Sequence, residues 1–168
     1  VGAGPVGLTA ALALARRGIP ATLLAAEPEP VMELRGSTFH PPTLDLLDEF
    51  GIVPRMIETG LIAPTWQFRD RETGPVATFD LSLLKDDTDH PYRVQCEQWK
   101  CMRFLEEELR KIPGADIRYG HEVTGVKQDG DRVTVIAQTA AGPVEVTGRY
   151  VIAADGARSA VRRVLNVE

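Results

Sequence analysis

The spacing of apolar positions changes several times along the chain, and each change marks an element. Leu8, Ala11, Leu12 and Ala15 recur at intervals of three and four, the period of a helix with one buried face. Pro5 suits the first turn of that helix, Arg16 and Arg17 load its last turn, and Gly18 stands where a C-terminal cap belongs. Residues 21–26, Ala-Thr-Leu-Leu-Ala-Ala, are a short run without alternation, the pattern of a buried parallel strand. Residues 28–40 contain Pro28, Pro30, Gly36 and Ser37 and read as a loop. A helix then opens at Pro41 or Pro42, keeps Leu44, Leu47 and Phe50 on one face, and closes at Gly51.

From Thr65 to Leu84 the period shortens to two. Trp66, Phe68, Val76, Phe79 and Leu81 alternate roughly with polar residues around Glu72-Thr73-Gly74, which predicts a hairpin. Lys85 to His90 is a polar loop; its Asp86, Asp87 and Asp89 lack the Gly and the distant Glu of a calcium loop and read as solvated. Residues 95–112 return to helical spacing, with Trp99, Met102, Leu105 and Leu109 as the apolar stripe, Glu106, Glu107, Glu108 and Arg110 mostly outside it, and Pro113-Gly114 as the stop. The last third reads as a meander: Asp116–Tyr119, His121–Gln128, the Asp129-Gly130-Asp131 turn, Arg132–Thr139, and Val144–Tyr150. Val151-Ile152-Ala153-Ala154 then predicts a second buried parallel strand, followed by Asp155-Gly156 and a helix near Ala160.

Length and composition narrow the classes. The 168 residues suit one domain with a core, and 43% hydrophobic with 26% charged content is that of a globular chain. A net charge of −5 argues against nucleic acid as a partner. The sequence shows no membrane-spanning run, and two cysteines, Cys96 and Cys101, suggest a reducing, cytoplasmic compartment rather than a disulfide framework.

The candidate chemistry sits at the strand–helix junctions. Gly2, Gly4 and Gly7 have the G-x-G-x-x-G spacing of a dinucleotide-binding turn, followed by a helix. The first glycine permits the tight turn, the second lets backbone approach a pyrophosphate, and the third lets the helix pack closely, its positive end facing the anion. Only Val1 precedes the turn, whereas such a fold needs a central strand there; at least the first strand is therefore expected to lie outside this sequence. The acid that usually accepts the ribose hydroxyls falls at Ala25, and the nearest carboxylate is Glu27. Arg35 can neutralise a phosphate or serve as an ordinary surface cation. Asp155-Gly156 marks a second strand–turn–helix junction, and Asp155 also suits the cap of the helix that follows. His40, His90 and His121 are isolated and read as ordinary residues.

Four stretches together resemble the FAD-dependent aromatic hydroxylases, the single-component flavoprotein monooxygenases with the fold of para-hydroxybenzoate hydroxylase: Gly2–Gly18, Arg35–Gly51, Tyr92–Leu109 and Tyr150–Arg163. The resemblance implies that Gly2, Gly4, Pro5 and Gly7 surround the FAD pyrophosphate. It further implies that Glu27 reaches the ribose, Arg35 the pyrophosphate, Gln98 the flavin nucleotide and the Val123 backbone the adenine edge, with Asp155 in a motif serving FAD and the nicotinamide cofactor. It implies NADH or NADPH as reductant, a C4a-hydroperoxide of the flavin as oxygenating species and a small phenolic substrate, and it admits a homo-oligomer; charge and hydropathy already point away from a nucleic-acid or membrane partner. Proteins of the family are more than twice this length and carry a Gly-Asp fingerprint and most of the substrate pocket beyond these residues, so no catalytic residue is named.

The fold class expected is α/β: a Rossmann-like FAD-binding domain over residues 1–168, built from a βαβ unit and an antiparallel meander. The hairpin at 65–90 would belong to a substrate-binding sheet. Other flavoenzymes on the same scaffold (halogenase, epoxidase, oxidase), a nicotinamide-only dehydrogenase, and a catalytically silent nucleotide-binding or interaction fragment are the alternatives.

Overall fold

The computed structural model describes residues 1–167. In chain order it runs α1 (Pro5–Arg16), β1 (Thr22–Leu24), β2 (Thr38–Phe39), α2 (Pro41–Asp48), α3 (Val53–Thr59), β3 (Leu61–Ala63), β4 (Thr65–Asp70) and β5 (Gly74–Asp80). After a 3-10 turn at Leu81–Leu84 come β6 (Arg93–Gln95), α4 (Gln98–Arg110), β7 (Asp116–Arg118), β8 (Glu122–Asp129), β9 (Arg132–Thr139), β10 (Gly142–Gly148) and α5 (Ala160–Val164). The chain divides into two compact units: Val1–Val31 with the chain from Leu105 onward, and Met32–Phe104.

In the first unit, α1 forms where expected and buries Leu8, Ala11 and Leu12, while Gly18 takes the left-handed conformation (φ 69°) that ends it. Each fully buried leucine contributes roughly 1.5–3 kcal/mol. β1 pairs in parallel with β7, Leu23 opposite Ile117. The Asp116 stretch was expected in the meander; it belongs instead to the parallel sheet. The meander proper is β8, β9 and β10, antiparallel in that order, with a register irregularity between Val123 and Gly125. One core cluster gathers Leu24, Val123, Val135, Ala137 and Val161, with Val1, Val126, Val144, Val146 and Val151 packed against it.

The expectation of a buried strand at Val151–Ala154 is not met. The segment forms no ladder, and Ile152 is 49% exposed. Its bonds run to Val1: the Val1 amine donates to the Ile152 carbonyl (2.7 Å) and the Ala154 amide donates to the Val1 carbonyl (2.8 Å). The Gly2 amide donates to the Leu24 carbonyl (2.8 Å), so Val1-Gly2 lies between β1 and this segment. Parallel strands are buried when neighbours flank them along their length.

In the second unit, β6 is the central strand of an antiparallel sheet ordered β2-β6-β3, with Val94 fully buried. Its formation corrects the helix expected from residue 95, because Arg93–Gln95 pairs on both sides and α4 starts only at Gln98. The buried stripe of α4 also differs. Cys101, Phe104, Leu105 and Leu109 are buried, Trp99 and Met102 only partly, and Glu106 is buried although its charge suggested the outer face. Glu106 is held there by Arg110 (2.6 and 2.8 Å) and by the Tyr119 hydroxyl (2.8 Å), which satisfy its carboxylate. After Gly51, a helix not anticipated from the sequence, α3, buries Val53 and Met56. β4 and β5 form the expected hairpin, closed by the Asp70 carboxylate accepting the Glu72 and Thr73 amides (2.9 and 2.8 Å).

Candidate functional site

The three glycines of the opening turn do three different things. Gly2 has φ 97°, and a side chain there would collide with the Ala154 carbonyl. Its role is to let the turn lie against the loop that carries Asp155. Gly7 lies on α1 where a side chain would collide with the Gly2 carbonyl, so it sets how closely helix meets turn. Gly4 is the N-cap of α1 and nothing lies within 4 Å of the position its Cβ would take. Pro5 follows at the first helical position. No side chain caps this helix and no acid occupies its first turn, so its positive end and first-turn amides face the open space beside Gly4. That space could receive an anionic group, and a larger residue at Gly4 would reach into it.

Asp155 and Ser159 form a hydrogen-bonded pair in the loop beside this turn. Asp155 accepts from the Ser159 hydroxyl (2.6 Å) and from the Val161 amide (3.1 Å), and the Ser159 oxygen accepts from the Arg162 amide (2.9 Å). Burial by itself would raise the Asp155 pKa, but the hydrogen bonds from Ser159 and the Val161 backbone outweigh it and hold the carboxyl below the ordinary aspartate range. Both of its oxygens thus hold α5 in place, while the Ala154 carbonyl and the Asp155 backbone lie against Gly2.

The remaining first-unit candidates are placed less directly. Ala25, where the ribose-binding acid was expected, is 1% exposed; its amide donates to the Arg118 carbonyl (2.9 Å) and its carbonyl accepts from His121 (2.7 Å). Glu27 stands free of β1, its side chain exposed and its carbonyl accepting from Gly120 (2.7 Å). Val123 buries its side chain in the same cluster as Leu24, and its backbone borders the irregularity in β8.

In the second unit the structure brings two candidates together. The Gln98 amide donates to the Gly36 carbonyl (2.8 Å) and the Cys96 amide to the Ser37 carbonyl (2.7 Å). The loop carrying Arg35 is thereby tied to the start of α4, with Gln98 Nε2 3.7 Å from where a Gly36 Cβ would sit. The Arg35 guanidinium is not idle: it donates twice to one oxygen of Glu33 (2.9 and 3.0 Å), both side chains largely exposed.

The sequence did not indicate the partners of three residues. Glu33 is the internal partner of Arg35. His90 is buried, with Nδ1 2.7 Å from Asp45, whose carboxylate also accepts from the Thr88 hydroxyl (2.7 and 2.8 Å); this ties the loop before β6 to α2. Arg93 lies with its guanidinium carbon 5.6 Å from the Trp66 ring centroid and its Nε buried without a hydrogen-bond partner. Periodicity finds none of these pairings, because each joins elements distant in sequence or depends on side-chain rotamers. Both cysteines are free and buried. Among the described residues no group of three or more His, Cys, Asp and Glu is placed to hold a metal ion, and no helix is long and apolar enough to cross a membrane.

Comparison with known proteins gives this geometry a family context. The pattern of the family described as "FAD binding domain" matches residues 1–168. Para-nitrophenol 4-monooxygenase of Pseudomonas sp. (strain WBC-3) is 34% identical over 167 residues, covering 99% of this chain and 41% of that protein. The crystal structure of p-nitrophenol 4-monooxygenase PnpA from Pseudomonas putida DLL-E4 superposes with a TM-score of 0.93 at 34% identity, over 98% of this chain and 42% of that one. The flavin-dependent monooxygenase PieE, solved in complex with FAD and substrate, gives 0.86 at 27% identity, over 99% and 31%. The chain thus spans about two-fifths of the length of the para-nitrophenol monooxygenases it matches.

Proposed function

Since the chain belongs to the FAD binding domain family, we propose that it is the FAD-holding portion of a flavin-dependent monooxygenase that hydroxylates a small phenolic or other aromatic compound. The open, uncapped helix end beside Gly4 carries the reading, because it offers backbone donors and positive potential where a pyrophosphate needs them. The likeness to para-nitrophenol 4-monooxygenase over almost the whole chain supports the aromatic substrate class.

Gly2, Gly4, Pro5 and Gly7 hold the pyrophosphate, with Arg35 supplying a counter-charge and Gln98 a side-chain hydrogen bond. Glu27 serves the ribose from outside β1, and the backbone at Val123 borders the adenine. Asp155 acts through position: it fixes α5 and the loop against which the glycine turn rests. Bound FAD supplies electron transfer from NADH or NADPH and activation of dioxygen. The residues of this chain bind and orient; the hairpin at 65–90 belongs to the substrate-facing sheet, which the rest of the protein completes. A cytoplasmic setting agrees with two buried, unpaired thiols.

The test is the full-length protein, purified and supplied with NADH or NADPH and a panel of phenols. Consumption of reductant and oxygen stimulated by a phenol, with an atom of labelled dioxygen in the product, is the expected result. Bound FAD with no oxygen transferred to any aromatic compound would move the protein to another flavoenzyme class. Failure to take up FAD would end the reading altogether.

A further inference from the structure

We propose that Arg93 and Trp66 form a recognition site for a planar aromatic anion, a carboxylate or phenolate, distinct from the residues assigned to the nucleotide; the proposal rests on the aromatic-substrate reading above. Side chains alternate along β6, so Val94 points into the core while Arg93 and Gln95 share the opposite face. The register places Ala63 opposite Arg93, and Thr38 and Leu61 opposite Gln95. That face already holds a polar pair, the Thr38 hydroxyl donating to Gln95 Oε1 (2.9 Å). Arg93 faces only the small Ala63 across the ladder.

The guanidinium of Arg93 has its carbon 5.6 Å from the Trp66 ring centroid. Such a contact engages the planar face of the cation with the ring. Arg93 Nε is buried and has no hydrogen-bond partner. A buried donor on a charged group is costly to leave unmade, and folded proteins keep few of them. An oxyanion in the guanidinium plane answers the need, because a carboxylate accepts from Nε and a terminal nitrogen together.

The surroundings specify an aromatic carrier for that anion. Trp66 stacks on Phe79 at 4.2 Å and 10°, and Phe68 meets both rings edge-on. Phe68 is 60% and Phe79 42% exposed among the described residues. A cation beside aromatic rings is complementary to a planar anion, which can meet a ring and pair with the charge. The same strand runs on to Gln98 at the start of α4, placing this face next in sequence to a residue assigned to the cofactor.

The experiment is calorimetric titration of the full-length protein with benzoate and with its neutral isostere benzamide, for the wild type, Arg93→Gln, Arg93→Lys and Trp66→Leu. The wild type should prefer benzoate. Arg93→Gln should weaken benzoate roughly tenfold or more, the worth of a charge-assisted pair, with benzamide within about twofold. Arg93→Lys keeps the cation without the fork and should retain part of the preference, which keeps the test valid if the glutamine variant does not fold. Trp66→Leu should weaken both ligands together. A wild type without preference for benzoate overturns the proposal, as does equal weakening of both ligands by Arg93→Gln. So does a lowered unfolding temperature in Arg93→Gln with unchanged benzoate affinity, which would assign the cation to a carboxylate of the protein itself. Calorimetry needs no flavin signal, so failure to bind FAD would be recognised separately from failure here.

Discussion

Gly4 and Gly7 belong to one motif, yet their missing side chains act in opposite directions: one keeps space open, the other lets two pieces of backbone touch. Spacing alone announced both, because the turn needs glycine at those intervals for local reasons. The partner of Arg35 was not announced. Glu33 holds the guanidinium through two bonds to one oxygen, so the side chain proposed to meet the phosphates already has an anionic partner. Exposed ion pairs are worth about 0–1 kcal/mol, so Glu33→Gln should tighten FAD by about two- to fivefold at low salt and leave riboflavin, which lacks the phosphates, unaffected. Fluorescence titration with both flavins checks this. Equal affinity of wild type and variant for FAD would mean that the pair does not compete with the ligand. Ala25 marks the limit at this scale: a position counted from the motif proved to be buried and fully bonded through its backbone, which counting could not reveal.

At the scale of elements, α5 shows how much a cap can decide. It has only five residues, and its start is held by Ser159 and by both oxygens of Asp155. Ser159→Ala should cost about 1 kcal/mol and speed hydrogen exchange of the amides in 160–164, while leaving those of α1 unchanged. The pH dependence has a definite sign. Asp155 is held below its ordinary pKa, so the folded state binds its proton less readily than the unfolded chain. Its contribution is complete above the ordinary aspartate value and is lost as pH falls through the lower folded value. Amide exchange in α5 should therefore accelerate on acidification in the wild type and lose that dependence in Asp155→Asn. Persistence of the same acid limb in the variant would assign it to another carboxylate. Elements with a sustained period or a clear turn were legible: α1, the β4–β5 hairpin and the β8–β9–β10 meander. Those defined by pairing were not. Arg93–Gln95 looks like the run-in to a helix until β2 and β3 are seen on either side of it. Val151–Ala154 looks like a core strand, yet its bonds run to Val1.

For the molecule as a whole, the fold class could be read from four short stretches, since glycine turns and helix starts are local. The Arg93–Trp66 pair and the Asp45–Thr88–His90 tie could not, since they depend on how distant elements meet. The thiols follow the same logic. Burial raises both, and Cys101 is pushed up to about 12, first by desolvation and then by the neighbouring Cys96. The native protein should therefore leave both cysteines unmodified by a disulfide reagent at mildly alkaline pH and expose them together on unfolding. Immediate reaction of either thiol would contradict the packing around α4.

Nucleotide binding at the glycine turn depends on the open space beside Gly4. Its backbone is extended (φ −76°, ψ −178°) and nothing lies within 4 Å of its absent side chain, so Gly4→Val is compatible with the fold, whereas Gly2→Ala and Gly7→Ala are not. The decisive measurement is the FAD content of the full-length wild type and of Gly4→Val after purification and incubation with excess FAD, alongside their unfolding temperatures without ligand. The expected result is a wild type that retains FAD and a Gly4→Val variant that unfolds at the same temperature without ligand yet carries none. Full FAD occupancy in Gly4→Val would contradict the assignment of this turn as the pyrophosphate site.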